Sequence, residues 1–144
     1  MRILVINGPN LNMLGTREPD IYGKETYDDL CTYVRESAEK LGVEAEVYQS
    51  NSEGAIVTRI QEALGGYDAI VINPAAYTHY SIAILDALKS VSLPAVEVHL
   101  SDISTREAFR QVSVTRDACI AQISGKGFAG YAQAMEVLIE HLNQ

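Results

Sequence analysis

Residues 3–23 read ILVINGPNLNMLGTREPDIYG, and this stretch decides the fold because a strand pattern runs into an unusually long connection. The four consecutive apolar residues at 3–6 predict a buried first strand, and helical spacing begins only at Thr26. Most connections between a strand and a helix have about 2 to 6 residues, whereas this passage, residues 8–25, has 18. We therefore expect it to be a lid or a binding loop.

The rest of the chain alternates strand and helix patterns. Strand-like runs occupy 3–7, 43–49, 67–73 and 95–100, with a weaker fifth run at 119–124. The first helix begins after a cap at Thr26 and ends at Gly42, and further helices are predicted before the glycines at 65–66, at 81–90 and at 128–142. Ser50 and Glu53 have capping-box spacing for the second helix.

This alternation predicts a parallel sheet with helices on both faces. Five parallel strands in a chain of this length favour an α/β, flavodoxin-like three-layer sandwich with strand order 2-1-3-4-5. We expect one domain over residues 1–144.

Composition excludes several partners. The chain has 144 residues and a formal net charge of -8, so a nucleic-acid backbone or an anionic membrane surface would be repelled. No apolar run approaches the length of a membrane span, and we expect neither a span nor a leader. The two cysteines, Cys31 in a predicted helix and Cys119 in a predicted strand, indicate buried thiols in a reducing compartment, and hence the cytoplasm.

Sheets of this order bind ligands beyond the carboxyl ends of their strands, near the switch point between strands 1 and 3. Residues 7–23, 73–81 and 97–110 leave strands 1, 3 and 4, and all three segments are rich in polar side chains. The sequence therefore predicts a binding or catalytic site at this edge.

Glu97 and His99 lie two residues apart in the fourth strand, so they share one face of it. Burying an acid and an imidazole without partners costs several kcal/mol. One interpretation is an edge strand with one wet face. The other is a carboxylate that fixes the histidine tautomer for proton transfer at the strand's end.

Other polar residues near this edge have two interpretations. His79 is either a turn or cap residue or part of the site, and Arg106 and Arg110 form either surface ion pairs or an anion site. Tyr22 is a poor base at neutral pH unless a close cation lowers its pKa, and Arg17 is a chemically sensible candidate for that cation.

Cofactor and metal motifs are weak. Residues 125–130 match G-x-G-x-x-G, but they follow the last strand and no later strand could supply an acidic residue for a ribose. The three histidines have no metal-ligand spacing. We expect no cofactor and no metal.

Several segments together resemble the type II 3-dehydroquinate dehydratases, and the resemblance spans essentially the whole chain. The matching segments are NGPNL at 7–11, LGTREP at 14–19, YG at 22–23, QSN at 49–51, NPA at 73–75, VEVHLS at 96–101 and RE-x-FR at 106–110.

The resemblance implies a hydro-lyase that removes water from 3-dehydroquinate in the shikimate pathway, without metal, cofactor or Schiff-base lysine. It implies that Tyr22 is the base, that Arg17 keeps Tyr22 ionised and that Asn10 steadies an enolate through a water. It further implies that His99 protonates the departing hydroxyl while Glu97 orients His99.

The resemblance also implies a set of substrate-binding residues, which are Asn73, His79, Asp86, the backbone at Leu100, Ser101 and Arg110. Asp86 is expected to reach a neighbouring subunit's site, because the family assembles as dodecamers built from trimers. Asp102 stands where the family usually has Asn, which adds negative charge near the expected substrate carboxylate.

Two other functions remain open at this point. One is a non-catalytic flavodoxin-like module that binds a nucleotide or a protein in the crevice at the carboxyl ends of strands 1, 3 and 4. The other is a hydrolase with a serine nucleophile, which the absence of a G-x-S-x-G motif disfavours.

Overall fold

The computed structural model describes residues 1–16 and 24–144, and the predicted base Tyr22 and its partner Arg17 lie outside these described residues. In the described residues the chain forms a five-stranded parallel sheet of order β2-β1-β3-β4-β5. The strands are β1 (Arg2–Asn7), β2 (Glu44–Gln49), β3 (Ala69–Asn73), β4 (Ala95–His99) and β5 (Ala121–Ser124). The predicted α/β class and strand order are confirmed.

Helices connect these strands. They are α1 (Tyr27–Leu41), α2 (Glu53–Glu62), α3 (Ile82–Val91), the short α4 (Ala108–Gln111) and α5 (Ala129–Leu142). Short 3₁₀ turns lie at Leu11–Met13, Ala75–His79, Ile103–Thr105 and Thr115–Ala118. Three of these turns come next along the chain after β1, β3 and β4, so the connections at the carboxyl edge of the sheet contain more than a single helix.

Alternating side chains of β1 build two cores. Ile3 and Val5 pack on one face with residues of α1 and α5, whereas Leu4 and Ile6 pack on the other with residues of α2 and α3. All four are fully buried, and burial of each stabilises the fold by about 1.5–3 kcal/mol. The sheet is thus covered on both faces, as the apolar runs predict.

The helix caps agree with the sequence in one case and correct it in another. Thr26 caps α1 in a capping box with Asp29, and Gly42 ends that helix in the left-handed conformation, as predicted. The capping box predicted for Ser50 and Glu53 is wrong, because the Ser52 hydroxyl accepts from the backbone N–H of Ala55 and so caps α2.

β4 lies between β3 and β5, and all five of its residues are buried. The interpretation of β4 as a wet edge strand is therefore wrong; the sheet edges are β2 and β5. The polar side chains of Glu97 and His99 are thus held inside the sheet, in the strand next to β3.

The position of Cys119 also differs from the prediction, because Cys119 precedes β5, which begins at Ala121.

Candidate active site at the carboxyl edge of the sheet

Glu97 and His99 form a buried pair at the end of β4. The His99 Nε2 atom lies 2.8 Å from Glu97 Oε2, and the two residues are 5% and 0% exposed. A carboxylate only accepts hydrogen bonds, so Nε2 carries a hydrogen and donates it to Glu97. Among the described residues none is hydrogen-bonded to the other ring nitrogen, Nδ1, which leaves that atom to exchange a proton with a ligand.

Three more donors converge on Glu97. Its Oε2 atom accepts from Ser113 Oγ and from Gln122 Nε2, both at 2.7 Å, and its Oε1 atom accepts from Thr115 Oγ1. Burial alone would raise the pKa of this carboxyl group, but the hydrogen bonds from His99, Thr115 and Ser113 outweigh it and lower the pKa to about 2. Glu97 is therefore an ionised carboxylate at neutral pH.

A third hydroxyl, that of Thr78, connects this carboxylate to the segment after β3. Thr78 is fully buried, and its Oγ1 atom lies 2.8 Å from both Ser113 Oγ and Thr115 Oγ1. Its carbonyl accepts from the backbone N–H of Val114 at 2.8 Å. The segment after β3, the segment after α4 and the acid of β4 are thus joined by direct hydrogen bonds.

Sequence reasoning did not find Ser113, Thr115, Gln122 or Thr78. Ser113 and Thr115 lie in irregular chain, where no periodicity assigns a side chain to a site. Gln122 could have been found, because it is the β5 register partner of Glu97 and a buried carboxylate requires donors.

His79 lies at the end of the 3₁₀ turn Ala75–His79 that follows β3. Its Nδ1 atom is 2.7 Å from the carbonyl oxygen of Val112, and a carbonyl only accepts, so Nδ1 is the donor. The Nε2 atom of His79 is then the ring nitrogen left for a ligand. The turn interpretation is confirmed for this residue, and its role in the site stays a prediction.

The connection after β1 is fixed at its start. Asn10 has φ 70°, a conformation that few residues other than glycine adopt, and its backbone N–H donates to Asn51 Oδ1 at 3.0 Å. Gln49 Nε2 donates to the same oxygen and to the carbonyl of Gly8. A Cβ atom on Gly8 would lie 2.4 Å from the Pro74 carbonyl oxygen, so only glycine lets this connection approach β3.

A second buried polar cluster joins the ends of β1 and β3. The Tyr131 hydroxyl donates to Asn7 Oδ1 at 2.6 Å and accepts from Asn73 Nδ2 at 2.9 Å. Asn73 Oδ1 accepts from the backbone N–H of Ala75 at 3.1 Å. Burial raises the pKa of Tyr131 well above its usual range, so its phenol stays neutral. Both ends of the Asn73 amide therefore hold the scaffold, and one amide hydrogen is left for a ligand.

The segment after β4 contains the predicted anion-binding residues. Arg110 lies on α4, as predicted for a helical turn, and its Nε atom is 2.6 Å from Glu107 Oε2. Ser101 is exposed, and the Leu100 carbonyl accepts from the backbone N–H of Gly127 at 3.1 Å. The Asp102 carboxylate accepts from the hydroxyl and backbone N–H of Ser104, which lowers its pKa.

One predicted site residue lies apart from the others. Asp86 is exposed on α3, and no described residue of the crevice contacts its carboxylate. The structure thus places Glu97, His99, Asn73, Asn10 and His79 at one edge of the sheet, with Leu100, Ser101 and Arg110 on the segment that follows β4.

Other features of the described residues lie away from this edge. Depressions of about 410 and 380 Å³ occur at the amino ends of β1 and β2 and beside the end of α3, and neither includes a residue of the candidate site. Within residues 1–16 and 24–144 no group of three His, Cys, Asp or Glu side chains is placed to hold a metal. No helix in the same residues has the length and apolarity to cross a bilayer.

Fold and site together define a doubly wound α/β protein with a carboxylate–imidazole pair at its switch-point edge. The family model described as Dehydroquinase class II matches residues 1–139. A 3-dehydroquinate dehydratase of Clostridium acetobutylicum is 56% identical over 144 residues, which is 100% of both chains. The chain belongs to the class II dehydroquinase family.

Solved structures agree with this assignment. The type II dehydroquinase of Butyrivibrio crossotus has a TM-score of 0.93 at 55% identity, with 96% of this chain and 97% of that chain covered. The type II dehydroquinase of Propionibacterium acnes has a TM-score of 0.91 at 45% identity, with 96% of each chain covered. The resemblance inferred from the sequence motifs is confirmed at the level of the family.

Proposed function

We propose that this chain removes water from 3-dehydroquinate to give 3-dehydroshikimate in the shikimate pathway, as a hydro-lyase. The observation that carries the proposal is the Glu97–His99 pair, buried at the carboxyl end of β4 with a contact of 2.8 Å. An imidazole supported by an ionised carboxylate is a suitable acid for a hydroxyl leaving group near neutral pH.

The first step in this proposal is loss of a proton. Tyr22, as a phenolate, takes the proton from the carbon beside the substrate ketone, and the C–H electron pair forms an enolate. In this proposal Arg17 keeps Tyr22 ionised. Lowering a phenol pKa by about 3 units requires roughly 4 kcal/mol of differential stabilisation, and a close cation is the group that supplies it. Both residues are assigned through the family motifs at 14–19 and 22–23.

The second step is departure of the β-hydroxyl. The enolate electrons re-form the ketone and a carbon–carbon double bond, the C–O bond breaks, and His99 gives its proton to the leaving oxygen, which departs as water. Asn10, through a water, stabilises the enolate oxygen. The backbone of Asn10, which follows β1, has φ 70° and donates its N–H to Asn51. This fixed backbone supports the proposed role of Asn10.

The substrate's hydroxyls and carboxylate are bound by residues around the same crevice in this proposal. They are Asn73, His79, the backbone at Leu100, Ser101 and Arg110, with Asp86 from a neighbouring subunit. A guanidinium and amide groups suit an anionic, hydroxyl-rich substrate. The chemistry uses one base, one acid and one enolate donor, and it employs no metal, no cofactor and no lysine imine.

The proposed active form is a dodecamer, a tetramer of trimers, in which residues 1–144 fold as one flavodoxin-like catalytic domain. Four large apolar side chains beside the crevice stay more than half exposed, and they are Tyr80, Ile82, Phe109 and Val112. Asp86 lies one helical turn after Ile82 on α3, so a subunit packed on this surface would lie next to its carboxylate. We place the enzyme in the cytoplasm, where Cys31 and Cys119 remain reduced thiols.

The proposal is tested by incubating purified protein with 3-dehydroquinate and following the ultraviolet absorbance of the conjugated product. Activity is expected in the presence of a metal chelator and after treatment with borohydride plus substrate. Inactivation by borohydride would indicate a lysine imine instead. Binding of 3-dehydroquinate without product would favour a non-catalytic binding module. Light scattering on the same sample tests the twelve-subunit assembly.

A further inference from the structure

The Glu97 carboxylate has more hydrogen-bond donors than are needed to orient one histidine. Beside His99, it accepts from Ser113, Thr115 and Gln122, which come from the loop after α4 and from β5. Four donors therefore reach this carboxylate, three on Oε2 and one on Oε1. The three additional donors therefore require a reason beyond holding the ring of His99 in place.

The reason follows from what burial does to a carboxylate. A fully buried acid with few donors has a strongly raised pKa and takes the proton of a neighbouring imidazolium. Glu97 then holds the proton that was on Nε2, and the ring becomes a neutral imidazole with its hydrogen on Nδ1. A neutral imidazole is a far weaker acid than an imidazolium, so the acid works well only if Glu97 stays ionised.

We propose that Ser113, Thr115 and Gln122 are positioning residues that keep the shared proton of the Glu97–His99 pair on Nε2 of His99, so that the ring stays an imidazolium and can give its Nδ1 proton to the leaving group. This inference rests on the proposed function, and it adds three residues to the machinery without making any of them touch the substrate. Thr78 supports them, because the hydrogens of Ser113 and Thr115 point to Glu97 and Thr78 donates its own hydrogen to one of their two oxygens.

Among the described residues, the ionisable side chains that act on Glu97 are His99 on its own strand and the Cys119 thiol before β5. The hydrogen bond from His99 lowers the pKa of Glu97 most, and those from Thr115 and Ser113 lower it further. Burial, and secondarily the charge of Glu97, raises the pKa of Cys119 to about 12, so the thiol stays neutral. The ring of His79 is turned to the Val112 carbonyl. Among the described residues no lysine or arginine forms an ion pair with Glu97.

Magnitudes decide how many donors must be removed. Loss of one hydrogen bond to a charged acceptor raises the pKa of that acceptor by about 1 to 2 units. The pKa of Glu97 lies at about 2, so loss of all three donors brings it to roughly 5–8, the range of an ordinary imidazole. Single variants should weaken the acid, and the triple variant should move the proton.

The experiment uses protein labelled with ¹⁵N in its three histidines, assigned with His79→Gln and His141→Gln, in solid-state NMR near pH 6. In the parent, both ring nitrogens of His99 should carry a proton. In the Ser113→Ala/Thr115→Val/Gln122→Leu triple variant, only one nitrogen should carry a proton. Retention of the doubly protonated ring in a folded triple variant would overturn the proposal.

Kinetics of single variants provide an independent test if the triple variant does not fold. Thr115→Val should lower kcat roughly three- to tenfold with KM changed by less than about threefold, and Thr115→Ser, which keeps the hydroxyl, should restore kcat. Equal kcat in Thr115→Val and the parent would contradict the inference. If the parent itself makes no product, the proposed function fails, but the NMR comparison still tests where the proton lies.

Discussion

Two buried polar clusters lie under the carboxyl edge of the sheet, and they differ in charge. The cluster of Tyr131 with Asn7 and Asn73 contains only neutral groups, and its hydroxyl is satisfied on both sides at 2.6 and 2.9 Å. The cluster of Glu97 with His99 contains an ionised carboxylate and an imidazole ring in direct contact at 2.8 Å. Both are equally removed from solvent, so burial does not distinguish them.

The two clusters also differ in the direction in which their hydrogen bonds and burial move the pKa of the central group. In the neutral cluster every contact ties one strand or helix to another, and the pKa of Tyr131 is raised so that it holds its proton. In the charged cluster the donors lower the pKa of Glu97, and one nitrogen of His99 has no partner among the described residues. The first cluster stabilises the scaffold, and in the proposed function the second supplies the proton for the leaving group.

The largest effect is expected on kcat when the charge of Glu97 is removed. Glu97→Gln keeps the shape of the side chain but removes its charge, so His99 is no longer held as a proton donor. We expect kcat for 3-dehydroquinate to fall by about 10³-fold, which corresponds to about 4 kcal/mol, while circular dichroism shows a folded protein. A fall of less than about threefold would make the two clusters alike.

The next effect concerns pH and stability. The pKa of Glu97 is lowered from 4.5 to about 2 on folding, so its contribution to stability is full above about pH 4.5 and is lost as pH falls toward 2. The contribution is about 3 kcal/mol. Chemical denaturation of the parent and Glu97→Gln, at one protein concentration between pH 5.5 and 2.5, should show the parent losing its advantage. A difference independent of pH would contradict the ionised state.

The neutral cluster should show the opposite pattern. Tyr131→Phe deletes the hydroxyl and leaves Asn7 Oδ1 and Asn73 Nδ2 without their partner. Unfolding free energy should fall by about 2 kcal/mol, whereas kcat should stay within about threefold of the parent. A large loss of kcat with unchanged stability would assign this cluster to the chemistry.

The smallest effect serves as the matched reference for stability alone. Gly42→Ala places an alanine in the left-handed conformation that ends α1, at the amino end of β2 and opposite the carboxyl edge of the sheet, and should cost about 1 kcal/mol of unfolding free energy with kcat unchanged. Thermal melting and the ultraviolet assay on the same preparation provide both numbers. Any change of kcat in this variant would mean that loss of stability alone lowers the rate.

The fold could be predicted because its signals are local. The apolar runs of β1 and β3, the spacing in α1 and the cap at Thr26 all specify their elements without reference to the rest of the chain. Glu97 and His99 were found for a related reason: two polar residues with a period of two stand out in a strand that should be apolar throughout.

The remainder of the site depends on contacts distant in sequence. Ser113 and Thr115 lie 16 and 18 positions from Glu97, and Tyr131 lies 124 positions from Asn7, so no window of sequence contains these pairs. Tyr131 reads as an ordinary apolar position of a helix. The sequence pattern did not distinguish Ser52 from Ser50 as the cap of α2, because the apolar spacing of the helix is compatible with a start after either residue. Such contacts are products of the tertiary structure.

The proposed role of His99 is tested by kcat of His99→Asn with 3-dehydroquinate, with His141→Asn as the matched control on the exposed end of α5. We expect His99→Asn to fold and to lose at least about 10³-fold in kcat with little change in KM, while His141→Asn keeps the kcat of the parent. A His99→Asn protein that dehydrates 3-dehydroquinate as fast as the parent would rule out His99 as the acid.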